Sequence, residues 1–157
     1  MDLRLTPLAA ADAQAVEALL DAAFGPDRHT RTAYRIRAGT VAIPALSFAA
    51  WQDAALVGSL QSWPVGLAGA PLVLVGPVAV APERQRAGIG RALMDALIEA
   101  AGDTPMVMIG DPEYYGRFFG FTAAATGGWE VPGPVERRRL LARNAGALPA
   151  AGMLGPR

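Results

Sequence analysis

Residues 78–93 read VAVAPERQRAGIGRAL. An apolar run meets Pro82, a charged turn follows, and Gly88 and Gly90 stand where a helix begins. Glycine costs about 0.8–1.0 kcal/mol relative to alanine inside a helix. Two glycines at such a place predict a ligand that needs bare backbone. The first turn of a helix offers amide N–H groups and the positive end of its dipole. Glycines there admit phosphate oxygens with no Cβ in the way, and successive turn amides form an anion-binding nest. Arg86 and Arg91 flank this seat as charge-assisted donors. A tight turn that binds nothing is the competing reading, and the turn alone does not decide between them.

Single positions remove two other phosphate loops. A dinucleotide loop requires glycine or alanine where this chain has Leu93, and its turn follows the strand more closely. A Walker loop requires lysine, and the chain has none.

Working outward, PLVLVGPVAV at 71–80 is continuous enough for a strand buried on both faces. Upstream, ALSFAAW and ALVGSLQSWPV flank QDA as the two strands of a hairpin. LRL at 3–5 is a first strand; Val16, Leu19, Leu20 and Ala23 line a helix that Asp12 caps. FGPDRHT interrupts that helix, and a shorter one spans roughly Thr30 to Arg37. Downstream of the glycines, Ile89, Leu93 and Leu97, with Ala92, Ala96 and Ala100 beside them, mark an amphipathic helix ended by Gly102. MVMIG at 106–110 is the next buried strand, and PEYYGRFF a short helix with Pro112 in its first turn. GFTAAA is expected to return as a strand, VPGPV as a turn, ERRRLLARN at 136–144 as a strand or short helix. From Gly146 the Ala/Gly/Pro-rich tail is expected to be irregular. Early hairpin and later strand–helix–strand predict a mixed sheet with one crossover unit over 71–80, 88–101 and 105–110. Ligand then belongs at the carboxyl ends of those strands.

Composition narrows the chemistry. The 157 residues, 52% hydrophobic and 18% charged, predict one ordered domain. No apolar run reaches the ~20 residues that span a bilayer, and MDLRLTPLAA lacks a secretory pattern, so the expected compartment is the cytoplasm with no membrane partner. Without cysteine there is no thiolate nucleophile, and without lysine no Schiff base. His29 is the single histidine, which speaks against a metal site. Fourteen basic residues balance fourteen acidic ones, so no nucleic-acid surface is indicated. Backbone groups, hydroxyls, carboxylates and arginine remain.

The spacing Gln-x-x-Gly-x-Gly at Gln85, Gly88 and Gly90, after VAVAPE and before an apolar helix, resembles the coenzyme A loop of the GNAT superfamily of N-acetyltransferases. A second element, GDPEYYGRFFGF at 110–121, is similar to that family's strand end, tyrosine-bearing helix and Gly-Phe. These motifs cover 78–121; AAFGPD upstream and VPGPVERRRLLARN downstream resemble a bacterial subgroup of the family. The resemblance implies an α/β (α+β) fold in a single domain over 1–157. Its central sheet would be mixed and mostly antiparallel, with helices on both faces and one splayed parallel strand pair.

It also implies acetyl-CoA as cosubstrate, an amine as acceptor and no metal. The pantetheine arm would pair with the backbone of Val78, Ala79 and Val80. Gln85 would mark the entrance of the pyrophosphate seat, on the amides of Arg86, Ala87, Gly88, Ile89, Gly90 and Arg91. Gly76-Pro77 suits the bulge that splays the strand, since proline donates nothing to a ladder. The reaction would be direct attack of an amine on the thioester, with a tyrosine giving its proton to the leaving sulfur. The motif points to Tyr115, with Tyr114 as the alternative, because doubled Phe118-Phe119 puts Gly120 one residue farther on than the family's spacing.

The general base is left open. Residues 71–80 hold no carboxylate; Asp111 suits a helix cap better than a base, and Glu113, His29 or water are other candidates. Arg28, Arg31, Arg35 and Arg37 read as a solvated helical face, or one of them clamps an acceptor carboxylate. Trp51 and Trp63 suit core packing or an acceptor pocket equally. The apolar C-terminal third suits a homodimer contact. A coenzyme A-binding module without turnover, acting as a sensor or assembly partner, is the alternative function.

Overall fold

Three successive apolar runs build the middle of the sheet. The computed structural model describes residues 2–85 and 88–157. β2 (Phe48–Gln52) and β3 (Ala55–Leu67) form the expected hairpin, with Asp53 at φ 54° in its turn. Ala68 and Gly69, both at positive φ, turn the chain into β4 (Ala70–Val80). With β1 (Leu3–Pro7), β5 (Met106–Ile109) and β7 (Leu140–Arg143), the strand order is β1-β2-β3-β4-β5-β7. β8 (Ala151–Pro156) pairs with β3 and with β6 (Gly128–Glu130), giving eight strands. The sheet is mixed and mostly antiparallel, β4 and β5 being parallel, with helices around it.

The chain falls into two compact units, whose bounds lie at Ser62/Trp63 within β3 and at Gly76/Pro77 within β4. The first comprises Met1–Arg28, Ala42–Ser62 and Pro77–Gly102. Here α1 (Ala13–Phe24) starts on Asp12, whose carboxylate accepts from the Ala15 amide at 3.1 Å, and ends on Gly25. Its buried Val16, Leu19 and Leu20 pack on Ala79 and Ala81, joined by Leu8, Phe24 and Leu56. α3 (Ile89–Ala101) buries Ile89, Leu93, Met94, Leu97 and Ala101. Ala100, expected on that face, is exposed, because Met94 and Ala101 complete the apolar stripe instead. A leucine so buried contributes about 1.5–3 kcal/mol. The helix packs closely over Gly58: a Cβ there would lie 2.7 Å from Ile89 Cγ2 and 3.2 Å from the Ala79 carbonyl oxygen.

The second unit comprises His29–Val41, Trp63–Gly76 and Asp103–Arg157. α2 (Thr32–Ile36) is pinned to the VPGPV turn, where Thr32 Oγ1 donates to the Pro134 carbonyl at 2.6 Å and Arg35 to Pro132 at 3.3 Å. α4 (Pro112–Phe119) follows β5 as expected. Residues 136–144 realise both expectations, a single turn of 3-10 helix (Arg137–Arg139) and then β7.

Two expectations fail in this unit. GFTAAA is a turn rather than a strand, bridged to β7 at Thr122–Ala142. Thr126 Oγ1 holds that turn on the carbonyls of Leu140 (2.7 Å) and Ala123 (3.2 Å). The tail is not irregular, since AGMLGP forms β8, with Leu154 fully buried opposite Leu67. Strand formation there follows from the available edge of β3 rather than from its low-propensity residues.

The Gly58 contact yields a direct prediction. Gly58→Ala should lower stability by about 1–3 kcal/mol through overpacking, read as a lower urea midpoint with unchanged m-value. A midpoint equal to wild type would mean that α3 can lift from β3 without penalty.

Candidate functional site

The glycine turn belongs to the first unit. β4 ends at Val80, and the Ala81 amide donates to the Val57 carbonyl at 2.9 Å. Pro82–Arg84 make one 3-10 turn, and the Arg84 guanidinium reaches Gln52 Oε1. Gln85 folds back and donates from Nε2 to the Val80 carbonyl at 2.9 Å. The residue expected at the entrance therefore staples the strand end to the turn, and one lone pair of the Val80 oxygen is engaged. Ala79 is fully buried, Val78 and Val80 are half-buried, so these side chains pack.

Arg86 and Ala87 lie outside the described residues. Gly88 takes the N-cap position of α3 in the left-handed region, φ 77° and ψ 10°, and as glycine it offers the helix no side-chain cap. That conformation explains glycine at 88. Among the described residues, an added Cβ at Gly90 would meet Val80 Cγ2 at 3.7 Å, an ordinary contact. Packing against the described residues therefore does not demand glycine at 90. Ile89 faces the core, while Arg91 is exposed. The helix presents its first amides, including those of Ile89 and Gly90, ahead of the Ala92 N–H that closes onto the Gly88 carbonyl at 3.0 Å.

In the second unit the parallel ladder is short. β4 and β5 match only at Val73–Met106 and Leu74–Val107. Two residues on, Gly76 sits at φ 131°, a conformation that favours glycine, and its carbonyl accepts from the Trp63 indole N–H at 2.6 Å. Trp63 is thus a buried structural residue at the end of the ladder, a role that its position in a strand did not disclose. The Arg37 guanidinium lies over the Trp63 ring at 3.6 Å and over Tyr34 at 4.1 Å, and His29 stacks on Tyr34 at 5.0 Å.

The arginines of 28–37 do not form one solvated face. Arg28 is 3% exposed and, within the first unit, pairs with Glu17 at 3.2 Å and Asp21 at 3.1 Å. Arg37 is half-buried in its stack, and only Arg31 and Arg35 are exposed. A buried guanidinium needs its carboxylates, and Glu17 and Asp21, one helical turn apart on α1, supply them. Trp51 donates from its indole to Thr6 Oγ1 at 2.9 Å, with Arg4 above its ring.

α4 shows how the tyrosines are set. Asp111 is its N-cap, accepting from the Glu113 amide at 3.0 Å, and Pro112 fills the first helical position. Asp111 is held below the usual carboxylate range first by its hydrogen bond with the Glu113 side chain. Backbone amides of Glu113 and Tyr114 and the charge of Arg138 act in the same direction. Glu113 itself pairs with Arg138 at the surface.

The Tyr115 ring lies against Gly110, where a Cβ would be 2.8 Å from two ring carbons. Burial pushes the Tyr115 hydroxyl up to about 12; Tyr114 and Asp111 add to the rise and Arg139 opposes it. Tyr114 meets Tyr115 edge-on at 4.9 Å and also touches Phe118 and Phe119. Of the doubled phenylalanines, Phe119 is buried and Phe118 is 39% exposed beside Arg117. α4 closes in a wide turn. The amide of Gly120, left-handed at φ 74°, bonds the Tyr115 carbonyl five residues back, and the Phe121 amide joins it at 3.2 Å.

Among the described residues no three histidine, aspartate or glutamate side chains gather as a metal site. No helix among them is long and apolar enough to cross a membrane.

The acetyltransferase (GNAT) family model matches residues 13–121. No curated protein matches the chain. A GNAT family acetyltransferase from Brucella melitensis, crystallised with acetyl-CoA, is 26% identical with a TM-score of 0.65, over 99% of this chain and 96% of its own. YhbS, a GNAT family N-acetyltransferase from Escherichia coli crystallised with CoA, is 25% identical with a TM-score of 0.70, over 99% of this chain and 89% of its own. Naa50 from Arabidopsis thaliana shares the fold at 16% identity and a TM-score of 0.56, over 91% of this chain and 99% of its own. A helix opened by a left-handed glycine after a strand, a tyrosine-bearing helix capped by Gly120 and a family match across both place this chain in the GNAT acetyltransferase family.

Proposed function

We propose that the chain is a single-domain, cytoplasmic N-acyltransferase that moves an acetyl group from acetyl-CoA to a primary amine, on a small molecule or a peptide N-terminus. The observation that carries this reading is the start of α3. It is a helix whose N-cap is Gly88, with no side-chain cap from that position, followed by Gly90, where packing against the described residues leaves room for a side chain that the sequence omits. The bound acetyl-CoA and CoA of the Brucella and Escherichia relatives support the cofactor assignment.

In this reading the backbone of Val78, Ala79 and Val80 pairs with the pantetheine arm. The amides of Arg86 to Arg91 receive the pyrophosphate, with Gln85 fixing the end of β4. A neutral amine attacks the thioester carbonyl; the C–N bond forms, the C–S bond breaks, and the electron pair goes to sulfur. The Tyr115 hydroxyl gives its proton to that sulfur, and the proton shed by the new amide restores the phenol through water. A hydroxyl pushed up to about 12 remains protonated throughout the neutral range, as an acid must. Tyr114 is the acid in the alternative assignment.

Three measurements test the reading. Gly90→Val should leave the thermal midpoint nearly unchanged, because the site has room, yet weaken acetyl-CoA at least about tenfold by calorimetry, ~1.4 kcal/mol. Unchanged affinity would remove the pyrophosphate seat. Tyr115→Phe should lower kcat about a hundredfold, followed as thiol release from acetyl-CoA across an amine panel that includes peptide N-termini. Saturable CoA binding with no release on any amine, and no effect of Tyr115→Phe, would instead favour the module without turnover. Trp63→Phe keeps a ring under Arg37 but removes the donor to Gly76, so it should cost about 1–3 kcal/mol of stability and raise KM for acetyl-CoA. Loss of stability alone would limit Trp63 to packing.

A further inference from the structure

Gly110 is bound at both ends by one residue that the reaction scheme leaves unused. Its amide donates to the Arg139 carbonyl at 3.0 Å, continuing the β5–β7 ladder one step past Ile109–Leu140. Its carbonyl in turn accepts from Arg139 Nε at 3.3 Å. The peptide so fixed is the one on which the Tyr115 ring rests, close enough that no side chain fits at 110. Arg139 is itself set by the hydrogen bond that its backbone amide donates to the Glu136 carbonyl at 2.9 Å.

The groups whose charge acts on the Tyr115 hydroxyl are Tyr114 on the same helix, Asp111 at its N-cap and Arg139 before β7. Arg139 is the one cation of the three. When a phenol in so buried a place gives up its proton, the phenolate left behind is penalised by desolvation. Asp111 then repels it, and Arg139 attracts it. The guanidinium holds the Gly110 carbonyl through Nε, and a lysine, with no donor at that place in its stem, reproduces the clamp less well.

We propose that Arg139 is a positioning residue for Tyr115: it clamps the Gly110 peptide that seats the phenol ring and supplies the positive charge that steadies the phenolate after proton transfer. The proposal rests on Tyr115 as the acid. The test compares Arg139→Gln, Arg139→Lys, Tyr115→Phe and Arg139→Gln/Tyr115→Phe, using acetyl-CoA and an amine that the wild type acetylates. Near-ultraviolet phenolate titration of each variant runs in parallel.

Arg139→Gln should reduce kcat about tenfold with KM for acetyl-CoA unchanged, and Arg139→Lys should restore part of that loss. In the Tyr115→Phe background Arg139→Gln should have no further effect on kcat. The titration step that disappears in Tyr115→Phe should move to higher pH in Arg139→Gln. An unmoved step, or an equal loss of kcat with and without Tyr115, overturns the clamp while leaving Tyr115 in place as the acid. Full activity in Tyr115→Phe overturns the acid assignment, and the clamp with it.

Discussion

The hydrogen bond from the Trp63 indole to the Gly76 carbonyl sets the end of the parallel ladder. Such a bond contributes only about 0.5–1.5 kcal/mol net, but a buried carbonyl left without one costs about 1–3 kcal/mol. That asymmetry holds the Gly76 backbone in place at the end of the ladder. Gly76 accepts a backbone conformation closed to most residues, Pro77 withholds a donor from the ladder, and the indole takes the oxygen that has turned aside. Arg37 and Tyr34 then cover the indole, so one interior contact also orders the segment that carries α2.

The proposed cofactor end and the proposed acid are built by opposite means. Around Gly88 the chain removes side chains: a left-handed glycine, a second glycine with space above it and a helix without a polar cap. Around Tyr115 it adds them, with a carboxylate cap, a surface ion pair, a guanidinium on the neighbouring peptide and four aromatic rings in mutual contact. The first arrangement suits a ligand that supplies its own charge. The second suits a proton that must be held until it is needed.

Much of this was legible in the sequence because local rules decide it. Asp12 and Asp111 are caps by type and position, Gly25, Gly102 and Gly120 end helices, and the 88–101 stripe has the helical period. What escaped depends on partners distant in sequence. β8 is a strand because β3 has an edge for it, not because AGMLGP favours one. GFTAAA contains strand-forming residues, yet Thr126 finds the Leu140 carbonyl and turns the chain. Arg28 reads as one of four surface arginines until α1 brings Glu17 and Asp21 to it. Trp63 lies in a strand, as its neighbours in sequence predict, but nothing local says that its N–H reaches thirteen residues ahead to Gly76.

The closing turn of α4 bears on how such a helix tolerates change in length. Each residue of an α-helix advances its neighbours by about 100° around the axis. A residue inserted before Tyr115 would therefore swing the phenol away from Gly110. The wide closing turn here lies after Tyr115, where the Gly120 amide steps five positions back to the tyrosine carbonyl. The angular phase between the Asp111 cap and the phenol is untouched. A change of length before Tyr115 turns the phenol about the helix axis, whereas one after it leaves that angle as it is.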